Sequence, residues 1–506
     1  MKVLVANRGE IACRILKTLR EMGIPSVAVH TSVDAEALHL DFADEIAPLG
    51  DAAAYLDGAA LVAAARSHGA TAVHPGYGFL SQSAAFAEEC ARAGIDFIGP
   101  SPEAMRMLGD KRASRRAAEE CGIPVIPGAS AADTVEEAAR AAEKVGFPVL
   151  LKAAGGGGGK GMRKVERRAG LDEAFAAARR EAEAAFADGR LLVERFIAPA
   201  RHVEVQVLGD GRDAVSLGER DCSLQRRYQK IIEESPSPGL PGPARRALLE
   251  GAARLARHSG YRSAGTVEFL VGPDGAHYFL EVNTRLQVEH PVTEWLLGLD
   301  LVAAQVTLAQ GGALPSPREP RGHAIEARLN AEDPHRGFLP SSGRVLLAEW
   351  PERPGVRVDA GIRTGSDVRP EYDPLLAKVI AWGEDREQAR RRLVEALRDT
   401  MVLGVATNLS FLIQVIESAP FRSGAVHTTL IESTRWAEPP IPPEAIAAAE
   451  SALRSPQGAS AGGNAWAVAG AAGGGPGAEG ADGRASGDGD RYSPWRSNDG
   501  EERLRP

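Results

Sequence analysis

Two carboxylates in a hairpin-shaped stretch carry the first chemical signal. Residues 266–283 read TVEFLVGPDGAHYFLEVN, two β-prone runs around a Gly-Pro-Asp-Gly turn. Asp-Gly is a strong two-residue hairpin signal. With Asp274-Gly275 as the loop, Pro273 faces Ala276, and counting outward sets Glu268 opposite Glu281. Opposed positions hold their Cβ atoms about 4.5–5.5 Å apart, where like charges repel. A divalent cation between the two removes that penalty. Asn283, two residues past Glu281, shares its face and adds an amide oxygen. Oxygen-only donors of this kind suit Mg²⁺ or Mn²⁺ held jointly with substrate phosphates. For the hairpin alone, a solvated acidic face is the plain alternative.

The continuation weakens that alternative. It reads Arg285-Leu286-Gln287-Val288-Glu289-His290-Pro291. In an extended chain, Glu281, Asn283, Arg285, Gln287 and Glu289 all project to one side. Arg285 offers a bidentate fork for a planar oxyanion. Glu289 beside it is placed to act as a general base. Upstream, the strand-like Phe147 to Lys152 runs through Ala153-Ala154 into five glycines, Gly155 to Gly159, and then Lys160. Glycines let bare backbone amides approach a ligand, and with a lysine they make a phosphate cradle. Ala154, and a glycine rather than Ser or Thr after Lys160, distinguish the loop from a Walker A motif. A flexible linker is the competing reading, although linkers are usually Gly/Ser in polar surroundings.

These groups need a multidomain α/β scaffold, and the chain supplies one. At 506 residues it has room for about three domains. Val3 to Ala6, Ser26 to Val29, Thr71 to Val73 and Phe97-Ile98 read as short strands. Between them, Ile11, Ile15 and Leu19 recur at helical spacing, and another helix falls near 83–93. Such alternation implies a parallel, doubly wound sheet. The first turn lacks G-x-G-x-x-G, which argues against dinucleotide binding. A second unit opens near Asp110-Lys111, with strand-like pieces at Phe147 to Lys152, Leu191 to Glu194 and His202 to Leu208. A third spans 322–433. After about 438, prolines, a short Ala-rich helix at 444–453 and a Gly/Ala/Asp tract read as linker or tail. Arg328 and Glu326 alternate with Ile325, Ala327 and Leu329 as in a half-buried strand. Taken alone, Lys111 reads as a helix-start lysine and His202 as a packed or solvated strand histidine.

Composition sets outer bounds. A net charge of -9 argues against a whole-protein footprint for nucleic acid. The four cysteines form no C-x-x-C pair and suit reduced thiols. The N-terminal apolar run stops at Asn7-Arg8, and no window approaches the ~18 apolar residues of a membrane span. The expectation is a cytoplasmic protein with no nucleic-acid or membrane partner.

Several longer motifs then resemble one family. NRGEIACRIL near 8–16, HPGYGFLS at 74–81, KAAGGGGGKGM at 152–162, RHVEVQVLGD at 201–210, ERDCSLQRRYQK at 219–230, EVNTRLQVEHPVTE at 281–294 and EARLNAEDP at 326–334 are similar to biotin carboxylases. The resemblance runs from residue 1 to about 438. It implies an ATP-grasp fold with a Rossmann-like N-terminal domain over 1–110 and an ATP-grasp domain over 111–320, its lid at about 123–195. A biotin carboxylase C-terminal domain over 321–438 and a low-complexity tail over 439–506 complete it. It implies that Lys111, Lys152, Gly158, Gly159, His202, Gln225 and Tyr228 contact ATP. Glu194 and the backbone near Ile197 hold adenine, and Glu268, Glu281 and Asn283 bind two metal ions. Lys230, Arg285, Gln287 and Val288 hold bicarbonate, Glu289 deprotonates it, Arg328 stabilises the biotin enolate, and Tyr77 sits near the biotin ring. The reaction implied is ATP-dependent carboxylation of carrier-borne biotin through carboxyphosphate.

Two positions depart from the family: Tyr228 stands where His is usual, and Gln82 where Glu is frequent. No Met-Lys-Met, the mark of a biotin carrier, occurs. The biotin is therefore expected on a separate carrier protein or domain, with a carboxyltransferase beside it, and the family suggests a homodimer. The end, RYSPWRSNDG, resembles the opening of the next domain in fused acyl-CoA carboxylase alpha subunits. Rival readings are another ATP-grasp ligase, such as a carbamoyl-phosphate synthase type, and a non-catalytic nucleotide-binding scaffold.

Overall fold

The computed structural model describes residues 1–153, 162–186, 188–316, 318–438 and 443–454. The glycine loop, with Gly158 and Gly159, lies outside the described residues, as does the tract after 454. The helix expected at 444–453 is Pro443–Arg454.

The N-terminal sheet contains β1 (Val3–Val5), β2 (Ser26–Thr31), β3 (Glu45–Gly50), β4 (Ala72–His74) and β5 (Asp96–Phe97). Its order is β3-β2-β1-β4-β5, and its pairs are parallel. Val3, Leu4 and Val5 are all fully buried, as a sheet covered on both faces requires. The helix Gly9–Glu21 buries Ile11, Ile15 and Leu19 as its spacing predicts. It also buries a polar stripe, Glu10, Arg14 and Thr18, at i, i+4 spacing. Arg14 Nη2 lies 2.8 Å from Glu294 Oε1 and 2.9 Å from Asp300 Oδ1. One helix thus serves two interfaces.

A four-stranded unit follows, made of β6 (Gly128–Ala132), β7 (Val149–Ala153), β8 (Arg163–Val165) and β9 (Leu191–Arg195), in the order β6-β9-β7-β8. The large sheet has eight strands: β10 (Arg201–Asp210), β11 (Ala214–Arg226), β12 (Gln229–Ser235), β13 (Arg262–Val271), β14 (His277–Asn283), β15 (His323–Asn330), β16 (Val356–Ala360) and β17 (Leu375–Gly383). Its order is β14-β13-β10-β11-β12-β15-β17-β16. One antiparallel sheet therefore runs unbroken through the second and third units, joined where Glu233 pairs with Glu326. β15 is not half-buried as expected. Glu326 and Arg328 are as buried as Ile325 and Ala327, because neighbouring strands and helices cover both its faces.

Among the described residues no single helix is long and apolar enough to cross a membrane. One pair, His290–Leu297 with Leu301–Ala309, passes only jointly, is bent by 91°, and packs in the core through Val292, Leu301 and Val302.

Candidate active site

The carboxylate hairpin forms, with a correction. Glu268 pairs with Glu281 as counted, but the loop is not the two-residue Asp274-Gly275. Gly272 N donates to Ala276 O at 2.8 Å, and Gly275 N donates to Gly272 O at 3.0 Å. Pro273, Asp274 and Gly275 make a three-residue loop, with Gly275 at φ +79°. Pro273 has no N–H to give the ladder, which disfavours pairing it with Ala276. The loop shifts the register by one: Phe269 pairs with Phe279 and Leu270 with Tyr278. An irregularity at Leu280 then adds a residue to β14 and restores Glu268 opposite Glu281.

The expected extension of the strand through 289 does not form. β14 ends at Asn283, the chain bends at Arg285 and turns at Val288-Glu289, and a helix starts at His290. Leu286 and Val288 are fully buried, so neither side of this segment faces solvent, and Pro291 in the first turn favours helix initiation. The polar groups reach the site from a turn instead of one pleated face.

Lys230 on β12 is the hub. Its Nζ lies 2.7 Å from Glu268 Oε1 and 2.7 Å from Glu289 Oε1, and it also donates to Glu204. Glu289, 0% exposed, receives Arg328 Nη2 on its other oxygen at 2.9 Å. Arg328 Nε donates to Glu233 Oε1 at 2.5 Å. Asn283 Nδ2 donates to Glu268 Oε1 at 2.8 Å, and His202 Nε2 lies 3.1 Å from Glu268 Oε2. Burial alone would raise Glu289, but Lys230, Arg328 and Arg220 hold it well below the ordinary carboxylate range. Lys230 and His202 lower Glu268 in the same way. Burial opposes the Lys230 charge, and Glu204, Glu268 and Glu289 raise its pKa well above the usual value.

Around this hub the other expected residues divide. Gln225 Nε2 meets His202 Nδ1 at 3.1 Å. Arg285 Nε donates to Gln82 Oε1 at 2.8 Å, so the family departure at 82 leaves a neutral hydrogen bond. Arg285 Nη1 donates to Gln287 Oε1 at 3.2 Å, and the Gln287 amide nitrogen is buried without a protein partner. Lys152 on β7 pairs with Glu194 on β9 at 2.6 Å. Ile197 lies just past β9, and Lys111 opens the helix Lys111–Glu120. Tyr228, 56% exposed, tops the β11–β12 turn at φ +66°. Burial and Glu432 raise its phenol pKa, and Lys152 opposes them. Tyr77 is buried, its hydroxyl donating to Glu10, and lies within electrostatic reach of Arg328 and Arg285.

Sequence reasoning missed the residues that hold the hub. Arg220 is fully buried; its Nε donates to Glu204 Oε1 at 2.6 Å, Nη1 to Gln206 Oε1 at 2.8 Å and Thr293 Oγ1 at 3.0 Å, and Nη2 to Thr266 Oγ1 at 3.1 Å. The alternation His202, Glu204, Gln206 marked that face; only the paired strand reveals Arg220 between them. Replacing Arg220 with Met leaves Glu204 buried with only Lys230. A stability loss of about 3–5 kcal/mol is expected, measurable by urea unfolding, and a change under ~1 kcal/mol would show the network to be ornamental. Glu233 was missed as well. The four cysteines are free, and burial raises the Cys222 thiol far above its usual pKa beside Glu204 and Glu289.

By donor type Glu268, Glu281 and Asn283 suit a divalent cation, although both Glu268 oxygens are engaged here by Lys230, Asn283 and His202. Glu281 makes no ion pair with a described residue, and Asn283 spends only its nitrogen on Glu268. Carboxylate and amide oxygens are what Mg²⁺ takes.

A parallel N-terminal sheet, a small four-stranded unit carrying Lys152, and an antiparallel body carrying an acid–lysine–arginine hub define an ATP-grasp ligase. Family models match in chain order: the biotin carboxylase N-terminal domain over 1–105, the carbamoyl-phosphate synthase L chain ATP-binding domain over 110–316, and the biotin carboxylase C-terminal domain over 326–433. A biotin carboxylase of Nostoc is 45% identical over 439 residues, spanning 85% of this chain and 98% of its own length. The methylcrotonoyl-CoA carboxylase subunit alpha of Oryza sativa is 48% identical over 441 residues, which cover 85% of this chain but 60% of that protein. The chain belongs to the biotin carboxylase family. Among solved structures, the Campylobacter jejuni biotin carboxylase complex with β,γ-ATP has a TM-score of 0.83 at 41% identity, covering 86% of this chain and 98% of its own. The biotin carboxylase domain dimer of Hydrogenobacter thermophilus 2-oxoglutarate carboxylase, with MgADP, ADP and bicarbonate, also has a TM-score of 0.83 at 41% identity, covering 86% and 99%.

Proposed function

We propose that this protein uses ATP and bicarbonate to carboxylate biotin presented by a carrier. The observation that carries the reading is the Glu289 carboxylate clamped between Lys230 and Arg328 inside a buried hub. Bicarbonate is a poor electrophile, and transfer of the γ-phosphoryl group to its oxygen gives carboxyphosphate and ADP. That transfer demands positioning and charge neutralisation more than covalent chemistry. Lys111, Lys152, His202, Gln225 and Tyr228 bind the nucleotide, with Gly158 and Gly159 on its phosphates. Glu194 and the Ile197 backbone take the base. Lys230, Arg285, Gln287 and the Val288 backbone seat bicarbonate, and the unpaired Gln287 amide nitrogen supports this. Glu289 removes its proton. Carboxyphosphate breaks to CO₂ and phosphate, the phosphate takes the ureido N–H proton of biotin, and Arg328 stabilises the enolate so formed, which attacks CO₂, with Tyr77 near the ring.

Glu268, Glu281 and Asn283 would hold Mg²⁺, or Mn²⁺, as two ions. When bound, the metal neutralises phosphate charge. Changing Glu268 to Gln is expected to raise the Mg²⁺ concentration for half-maximal turnover by at least about tenfold. A titration of rate against Mg²⁺ checks this, and an unchanged midpoint rejects Glu268 as a ligand. The biotin carrier and carboxyltransferase are proposed partners, a homodimer the proposed assembly and the cytoplasm the proposed location. The deciding experiment is ADP release with bicarbonate and free biotin. Bicarbonate-dependent release, stimulated by biotin and indifferent to ammonia, is expected. Dependence on ammonia would mean a carbamoyl-phosphate type ligase, and no turnover a scaffold.

A further inference from the structure

Behind the reaction hub, charges from separate parts of the fold meet at one lysine. Lys378 on β17 is 0% exposed. Its Nζ donates to the Val288 carbonyl at 2.9 Å, lies 3.2 Å from Glu10 Oε2 and 3.6 Å from Asp359 Oδ2 on β16. Glu10, from the first turn of the helix Gly9–Glu21, accepts the Tyr77 hydroxyl on its other oxygen. The ammonium therefore touches the backbone next to Glu289 and the acid that holds Tyr77.

An apolar side chain of equal length would fill this space without desolvating a charge. The ammonium instead offers three donors; one goes to the Val288 carbonyl, and two carboxylates from distant parts of the sequence, Glu10 and Asp359, form ion pairs with it. Burial opposes its charge, but Glu10, Glu326 and Asp359 raise its pKa above the ordinary lysine value. The contact is also tight in the backbone. A Cβ on Gly361, just past β16, would meet Glu10 N at 2.5 Å. The N-terminal helix and the C-terminal strands cannot slide here without breaking contact.

We propose that Lys378 is a positioning residue that locks the Val288 carbonyl and the Glu10–Tyr77 pair into one frame, fixing the bicarbonate loop relative to the biotin-facing tyrosine. This rests on the bicarbonate and biotin assignments above. A displacement of about 1 Å at a site of this kind can cost on the order of 100-fold in rate.

The test is steady-state kinetics on the full chain with Lys378→Met. KM for bicarbonate is expected to rise, and kcat/KM for free biotin to fall, by about 10- to 100-fold. KM for ATP is expected to stay near the parent value. Methylammonium, supplied to Lys378→Ala, is expected to recover part of the loss, which a purely structural defect would not allow. Unchanged bicarbonate and biotin constants, or an equal rise in the ATP constant, would overturn the proposal. Glu10→Gln keeps the size and the Val288 contact, so it is expected to lower kcat/KM for biotin alone; an unaltered value there overturns the frame even if Lys378→Met does not fold. A parent enzyme without bicarbonate-dependent ADP release would reject the functional reading instead.

Discussion

Replacing Glu289 with glutamine is expected to end biotin carboxylation, with kcat reduced by about 10²- to 10⁴-fold, while ATP still binds nearly as in the parent. The substitution keeps the shape and removes the proton acceptor. The hub should survive it, since Lys230 keeps Glu204 and Glu268, and Arg328 keeps Glu233. A carboxylate held below its ordinary range by Lys230, Arg328 and Arg220 is a weak base. On the proposed reading it would become a useful one when bicarbonate draws Lys230 toward itself. ADP release measures the loss, and calorimetric titration with an ATP analogue measures the binding. Turnover above a tenth of the parent would remove the general-base role. Lost nucleotide affinity would mean that Glu289 organises the nucleotide site instead.

The parts legible in the sequence were those with local signatures. The parallel sheet followed from apolar runs alternating with helical spacing, and the facing of Glu268 and Glu281 from hairpin arithmetic. That arithmetic reached the right pair by an incomplete route. The three-residue loop and the irregularity at Leu280 each shift the register by one, and they cancel. Turn propensity carries no information about a compensating bulge six residues away. The turn at Val288-Glu289 was hidden for another reason: Leu286 and Val288 are apolar on what alternation makes the second face, and only tertiary burial shows that both faces are covered. Glu233 and Lys378 find their ion-pair partners, Arg328 and Glu10, far off in sequence, and Arg220 meets Glu204 only across a strand pair; a charge reads as solvated until its counter-charges are placed beside it. Gln82 shows the converse: a departure visible in the sequence whose meaning, a neutral contact to Arg285, needs the fold.

Changing Arg328 to Met is expected to separate the two halves of the reaction. Its guanidinium lies between Glu233 and Glu289, whereas Lys230 and Arg285, the residues proposed to hold bicarbonate, are left in place. ADP release that depends on bicarbonate alone should persist, and the rate increment produced by biotin should fall by about 10²- to 10³-fold, the cost of removing one preorganised donor to a developing oxyanion. Stability should fall too, by about 3–5 kcal/mol, because two buried carboxylates lose a shared partner. Thermal melting is therefore run beside the kinetics, at a temperature where the variant is folded. Arg328→Lys separates the effects. It restores charge to the acids, and with it most of the melting temperature, but lacks the planar fork, so the biotin increment should stay low. If that increment survives in Arg328→Met while the protein is folded, the cation that makes the ureido nitrogen nucleophilic is another one. Arg285, a buried arginine that bonds Gln287, would then be the next candidate for that role.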